Sequence, residues 1–492
     1  MKESRFDELR ARAGFVIAPL AFFIVLFAPF DLAPEAHRLA AVIAAVIVLW
    51  ICECVPLPVT ALIGALLCVI LRVAPAKEVF GPFGDPLIFL FIGSFILARA
   101  IFHHNLDRKF AFGVLSIKWI GGRPNRILFA FGIVTAVASA WLSNTATTAM
   151  MFAIGMSIIS FLKDQEKETG IKINPNYAVV LMLMTSFAAT IGGLMTPIGT
   201  PPNVIGLGFM RRLLEVDISF FQWMVFAAPI SIVLYLFLYY YFRFLAPTKV
   251  KEIPGCADII KREREKLGGW TRGQKSTVIA FGVTAGIWIT SGVIAAIVGN
   301  ASPIYTSMRA SFPEAAAAIL GAMLLFILPG NKKGEKAMRW SEAVKIDWGV
   351  ILLFGGGFAL GVLSFNTGLA EDFGRGFTSL IPLTSGTGLL IVSVFVAVLI
   401  SETTSNTASA NMVIPVIIAV AQSNGTDPFI PALGATLGAS LGFMLPVSTP
   451  CNAIVYGSGH IPLMKMMRYG IVLDIVGAIV IIIGLSILSA II

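Results

Sequence analysis

The chain has 492 residues, 57% of them hydrophobic and only 13% charged, and its mean hydropathy is +0.88. Soluble domains carry about a quarter charged residues, so a water-soluble fold is excluded. The net charge of +9 sits in the connections between apolar runs, which is the positive-inside pattern of a membrane protein and no sign of nucleic-acid binding.

The start, MKESRFDELRARAG, is too charged for a cleaved signal peptide and predicts a cytoplasmic tail with a short interfacial helix. Apolar spans follow at 13–31, 38–55, 59–73, 85–102, 177–208, 222–245, 277–299, 314–328, 348–365, 429–458 and 471–491. The basic connections are residues 1–12, 103–126, 161–176, 246–275, 330–346 and 459–470. All of them lie on the cytoplasmic face of an inner membrane if the amino terminus is inside and the carboxyl terminus outside. That topology requires the apolar stretches 127–160 and 387–420 to enter and leave by the same face, as re-entrant hairpins.

Length supports the hairpins: 34 residues make about 51 Å of helix, too much for one bilayer crossing. Both stretches carry a polar interruption near the middle, Ser139-Ala140-Trp141-Leu142-Ser143-Asn144-Thr145-Ala146 and Ser401-Glu402-Thr403-Thr404-Ser405-Asn406-Thr407-Ala408. Such residues compete with the helical backbone for hydrogen bonds and break helices.

The interruptions share Ser-Asn-Thr-Ala, and their surroundings repeat as well. Phe91-Ile92-Gly93-Ser94-Phe95 precedes the first, and Phe354-Gly355-Gly356-Gly357-Phe358 precedes the second. Met195-Thr196-Pro197-Ile198-Gly199-Thr200-Pro201-Pro202-Asn203 follows the first, and Met444-Leu445-Pro446-Val447-Ser448-Thr449-Pro450-Cys451-Asn452 follows the second. The expected architecture is therefore an all-α polytopic membrane protein, with about eleven transmembrane helices and two re-entrant hairpins in two repeats of inverted topology. Residues 1–37 form the amino-terminal tail and first span, 38–245 the first repeat, 246–276 a cytoplasmic linker and 277–492 the second repeat.

Each hairpin tip presents the positive end of a half-helix dipole, free backbone amides and neutral Ser, Asn and Thr side chains, which together make an anion receptor without formal charge. Carbonyls freed at the proline breaks, with Asn and Ser oxygens, suit a hard monovalent cation. A dianion neutralised by co-bound cations follows, and with it a sodium-coupled transporter.

These paired Ser-Asn-Thr motifs, each followed by a Thr-Pro break, resemble the divalent anion/sodium symporter family over about residues 13–491. The resemblance implies a homodimer in the lipid bilayer, working as an elevator, with no enzyme activity. It places one sodium ion at Ser139, Ser143, Asn144 and Gly199, and a second at Ser401, Thr404, Asn406 and Ser448. It places the carboxylates of a C4 dicarboxylate such as succinate, malate or fumarate among Ser143, Asn144, Thr145, Ser405, Asn406 and Thr407, with Thr200, Pro201, Thr449 and Pro450 closing the pocket. Citrate or sulfate symport and sodium-independent exchange are the alternatives within the family.

Of the remaining polar residues, Glu402 reads as the one intramembrane acid, bonded to backbone amides at the second break. That position also leaves open a proton-coupling role, or a sodium-pumping decarboxylase subunit. Asp85 and Asp347 read as helix caps, His103 and His104 as interfacial, 261–266 as a solvated helix and Gly355-Gly356-Gly357 as a close-packing stripe. The cysteines, Cys52, Cys54, Cys68, Cys256 and Cys451, lack metal-ligand spacing and read as packing residues.

Overall fold

The computed structural model describes residues 5–169, 174–248, 252, 255–299, 301–380 and 385–490. The fold is all-helical: among the described residues the only β-type contact is an isolated bridge between Pro329 and Lys336. Long runs of Leu, Ile, Val, Ala and Phe form helices because a bilayer offers the backbone no other partner for its amides and carbonyls. Among the described residues, eleven helices are long and apolar enough to cross a membrane. That set includes the hairpin arms Pro124–Trp141, Asn144–Glu168 and Gly386–Thr403, whereas the spans expected at 59–73 and 429–458 are present as the shorter helices Leu57–Ile70 and Phe429–Gly438. Large apolar side chains such as Phe244 (80% exposed) and Leu399 (67%) point outward, as lipid-facing residues do. The separate interfacial helix expected at the amino terminus is absent among the described residues, because the tail runs straight into one helix, Arg5–Phe27, that absorbs Pro19. Residues 1–4 and the Cys256 side chain lie outside the described set.

Both interrupted stretches fold back on themselves. The leading arm Pro124–Trp141 stops at Leu142, whose backbone is extended (φ −124°, ψ 167°), and the returning arm begins at Asn144. A β-carbon at Gly155 would lie 3.3 Å from the Phe131 ring, so positions about equally far from the turn face each other. In the second stretch Gly386–Thr403 returns as Asn406–Ser423, and Ser409 Oγ donates to Ala397 O across the turn at 2.9 Å. The returning arms are capped alike. Ser143 Oγ accepts from Ala146 N and Ser405 Oγ accepts from Ala408 N, each at 3.2 Å.

The two breaks are also built alike. Helix Asn176–Gly193 resumes as Pro201–Leu213, and Phe429–Gly438 resumes as Pro450–Tyr456. Thr200 (φ −146°, ψ 145°) and Thr449 (φ −151°, ψ 145°) occupy the same N-cap conformation. Asn203 Nδ2 donates to Gly193 O (2.9 Å) and Thr196 O (2.8 Å), and Asn452 Nδ2 donates to Gly442 O and Leu445 O (both 2.9 Å). Each asparagine thus ties together two carbonyls of its break. The matched aromatic motifs meet in space: Phe91 and Phe354 pack edge to face with ring centroids 5.6 Å apart.

Small residues set the closest approaches. A β-carbon on Gly192 would lie 2.1 Å from Ala136 O and 2.6 Å from its Cα, which are backbone atoms of the first hairpin that cannot rotate away. Gly192→Ala is expected to push the hairpin off the broken helix and destabilise the protein by about 1–3 kcal/mol. Thermal denaturation in detergent tests this, and an unchanged melting temperature would contradict the packing described here.

Candidate substrate and cation site

The tips and the breaks converge. A cavity of about 510 Å³ is lined by Ser143, Asn144 and Thr145 of the first tip and by Ser405, Asn406 and Thr407 of the second. Gly199, Thr200 and Pro201 of one break, and Ser448, Thr449 and Pro450 of the other, complete that wall. The six residues expected to hold the carboxylates and the four expected to close the pocket therefore face one space, although they span more than 300 positions of sequence. Phe91, Phe95, Val350 and Leu353 form the opposite, apolar wall. None of the tip or break residues is formally charged. Charge enters only at the rim, with Arg99, Lys345 and Asp347. Glu342 binds Arg99 at 2.8 Å and Lys345 at 2.6 Å, so the rim cations are largely balanced.

Behind the first tip, Ser139 Oγ lies 2.6 Å from the Asn144 amide. In its present orientation Asn144 Oδ1 faces only oxygens, and turning the amide brings its nitrogen to Ser139 Oγ (2.6 Å), Gly199 O (3.1 Å) and Ala189 O (3.1 Å). A cluster of side-chain and carbonyl oxygens around one point suits a small hard cation as well as it suits an amide N–H. Gly193 and Gly199 permit the cluster: a β-carbon on Gly193 would lie 2.3 Å from Asn144 Oδ1, and one on Gly199 would lie 2.5 Å from Gly193 O.

The second cluster is related but not identical. Ser401 Oγ lies 2.9 Å from Asn406 Oδ1 and donates to Ala439 O at 2.8 Å, while Asn406 Nδ2 donates to Ser440 O at 3.0 Å. Thr404 donates its hydroxyl to Ile400 O one turn back (2.7 Å) and, like Ser139 and Ser401, does not line the cavity. The Ser448 hydroxyl donates to Glu402 Oε2 at 2.6 Å.

Glu402 accepts hydrogen bonds from Met444 N (2.7 Å) and Leu445 N (3.2 Å), so it satisfies the amides freed by the second break. It is not the sole buried acid. Asp474, in the last helix, is 4% exposed, lies within hydrogen-bonding reach of Glu402 and accepts from Phe443 N at 3.4 Å. Asp474 is one carboxyl in an otherwise apolar run, and that isolation was the signal available in the sequence. Asp85 and Asp347 cap their helices through Leu87 N (2.8 Å) and Val350 N (3.2 Å), and Asp85 also pairs with Arg212 at 2.5 Å. His104 is buried with Nε2 2.7 Å from Ala337 O. Among the described residues no group of three or more His, Cys, Asp or Glu is placed to hold a metal ion.

Residues 10–490 match the family model described as the sodium:sulfate symporter transmembrane region. The chain belongs to this symporter family. The chain is 31% identical over 487 residues to the sodium-dependent dicarboxylate transporter SdcS of Staphylococcus saprophyticus, covering 98% of this chain and 92% of that one. The protein of the same name in Staphylococcus aureus is 32% identical over 475 residues, covering 95% and 89%. Two solved transporters share the fold at 12% identity. They are YdaH of Alcanivorax borkumensis (TM-score 0.54, covering 98% of this chain and 99% of that one) and MtrF of Neisseria gonorrhoeae (TM-score 0.53, covering 98% and 94%). The symporter relatives are transporters and not enzymes, which removes the decarboxylase-subunit alternative.

Replacing Glu402 by Ala strands the half-buried amides of Met444 and Leu445, while the Ser448 hydroxyl keeps the Glu402 backbone carbonyl at 3.1 Å. Loss of about 1–3 kcal/mol per stranded group is expected, read as a lower melting temperature of the purified protein. A Glu402→Ala protein as stable as wild type would show that water or another group satisfies the break.

Proposed function

We propose that the chain is a sodium-coupled symporter of C4 dicarboxylates such as succinate, malate or fumarate in the inner membrane. The observation that carries this reading is the meeting of two Ser-Asn-Thr tips and two Thr-Pro breaks around one cavity whose deep wall has no formal charge. A dicarboxylate bound there is held by amides, hydroxyls and helix N-termini, and its two negative charges need mobile counter-charges. The oxygen clusters at Ser139, Asn144 and Gly199 and at Ser401 and Asn406 lie directly behind the tips, where co-bound sodium ions would supply them. Sodium is thus a co-substrate. The names of the staphylococcal relatives agree with both the cation and the substrate class.

Each hairpin enters and leaves the bilayer by its own face, in two repeats of opposite orientation, and the amino terminus is cytoplasmic. The cavity rim then belongs to the cytoplasmic side, since Arg99, Lys345 and Asp347 adjoin the basic connections, and the structure is inward-facing. Two copies assemble as a homodimer, and the hairpin region moves as an elevator against the rest.

Succinate uptake into proteoliposomes driven by a sodium gradient is the decisive measurement. Replacing sodium by choline should abolish uptake and leave no net positive current. Undiminished uptake in choline would move the chain to the sodium-independent exchangers. Asn144→Ala and Asn406→Ala should each reduce uptake by about ten- to a hundredfold, the equivalent of about 1.5–3 kcal/mol for a hydrogen bond to a charged group. Wild-type rates in either variant would place the substrate elsewhere. Equal competition by sulfate or citrate would reassign the substrate and leave the site intact.

A further inference from the structure

At the base of the first hairpin, far along the chain from its tip, a second cavity of about 570 Å³ is lined by Arg123, Arg126 and Arg243 together with Trp119, Tyr239 and Tyr240. No Asp or Glu lines it. Arg126 is fixed in place, since its Nη1 donates to Trp119 O at 2.6 Å and its guanidinium lies 4.7 Å from the centre of the Trp119 ring. Arg123 and Arg243 are exposed, and neither forms an ion pair with a described residue. Arg123 is also the N-cap of helix Pro124–Trp141 and makes no side-chain cap, and Pro124 and Asn125 of the first turn line the same space. The positive end of an 18-residue helix therefore adds to three guanidinium groups.

One oxyanion with several acceptor oxygens answers this arrangement, as in arginine-phosphate recognition. The phosphate could be free in solution or part of a lipid, and the surroundings favour the lipid. Phe129 packs edgewise on Tyr239 (4.9 Å) and on Trp119 (6.4 Å), giving the aromatic wall that proteins place where hydrocarbon meets headgroups. The cavity also lies where two apolar runs pass into the basic connections 103–126 and 246–275. We propose that this cavity binds the phosphate headgroup of an anionic membrane lipid and so anchors the base of the first hairpin to helix Phe220–Leu245. The proposal does not rest on the substrate or the coupling ion.

The test uses full-length purified protein titrated with phosphatidylglycerol or phosphatidylcholine and read by native mass spectrometry, with inorganic phosphate as competitor. Wild type should retain phosphatidylglycerol in preference to phosphatidylcholine, and inorganic phosphate should not displace it. The double variant Arg123→Gln, Arg243→Gln should bind phosphatidylglycerol about 25-fold more weakly, the equivalent of about 2 kcal/mol for two arginines near a membrane surface. Arg123→Lys, Arg243→Lys keeps the charge and should recover most of that loss, which separates lost binding from misfolding. Equal retention of both lipids by wild type overturns the proposal. So does displacement of the lipid by inorganic phosphate, or a glutamine variant with undiminished phosphatidylglycerol binding.

Discussion

Breaking a helix in the middle of a bilayer frees amides and carbonyls that no bulk water reaches, and every feature of the site depends on how those groups are satisfied. Asn203 and Asn452, at the start of the resumed helices, each reach back to two carbonyls of the preceding break. Ser143 and Ser405 take up amides at the start of the returning arms, and Glu402 takes up those of Met444 and Leu445. Once these are paired, the groups still facing the cavity are the neutral donors and acceptors that a small dianion and its counter-ions can share. The breaks are stable because they are stapled, and they remain available for binding because the staples lie behind them.

The repeats have diverged at one point that bears on the cations. Thr196 donates to the Ala140 carbonyl behind the first tip, whereas the second tip has Glu402 at the matching position and Ser448 donating to it at 2.6 Å. The first cluster is made only of neutral oxygens, while a buried pair of acids backs the second. The second cluster therefore has two carboxyl groups behind it where the first has a hydroxyl and a backbone carbonyl.

Much of this was legible in the residues themselves. Uncharged runs of crossing length mark spans, and Ser-Asn-Thr in the middle of an overlong run marks a turn, because those side chains compete with the helical backbone. The six residues expected to hold carboxylates and the four expected to close the pocket line one cavity because the two repeats fold alike. Other features depended on distant partners that local pattern does not name. Arg99 meets Glu342 across 243 positions, and Asp85 meets Arg212 across 127. Thr404 lies beside the second tip in sequence, but its hydroxyl turns back to its own helix, a choice made by rotamer and not by composition. Asp474 is a single acid among apolar neighbours, and only the packing of the last helix against the second break gives it a partner. The basic and aromatic residues at the hairpin base read one by one as loop and interface, and three-dimensional convergence makes them a cavity.

The two repeats are joined behind the site. Ser186, in the first broken helix, donates to Asn452 of the second at 2.6 Å. The asparagine that staples one break is therefore held by a hydroxyl from the opposite half, and neither half is self-sufficient. Removing the Ser186 hydroxyl would therefore leave the buried Asn452 side-chain carbonyl oxygen without its donor, so a change in one half is felt at the break of the other.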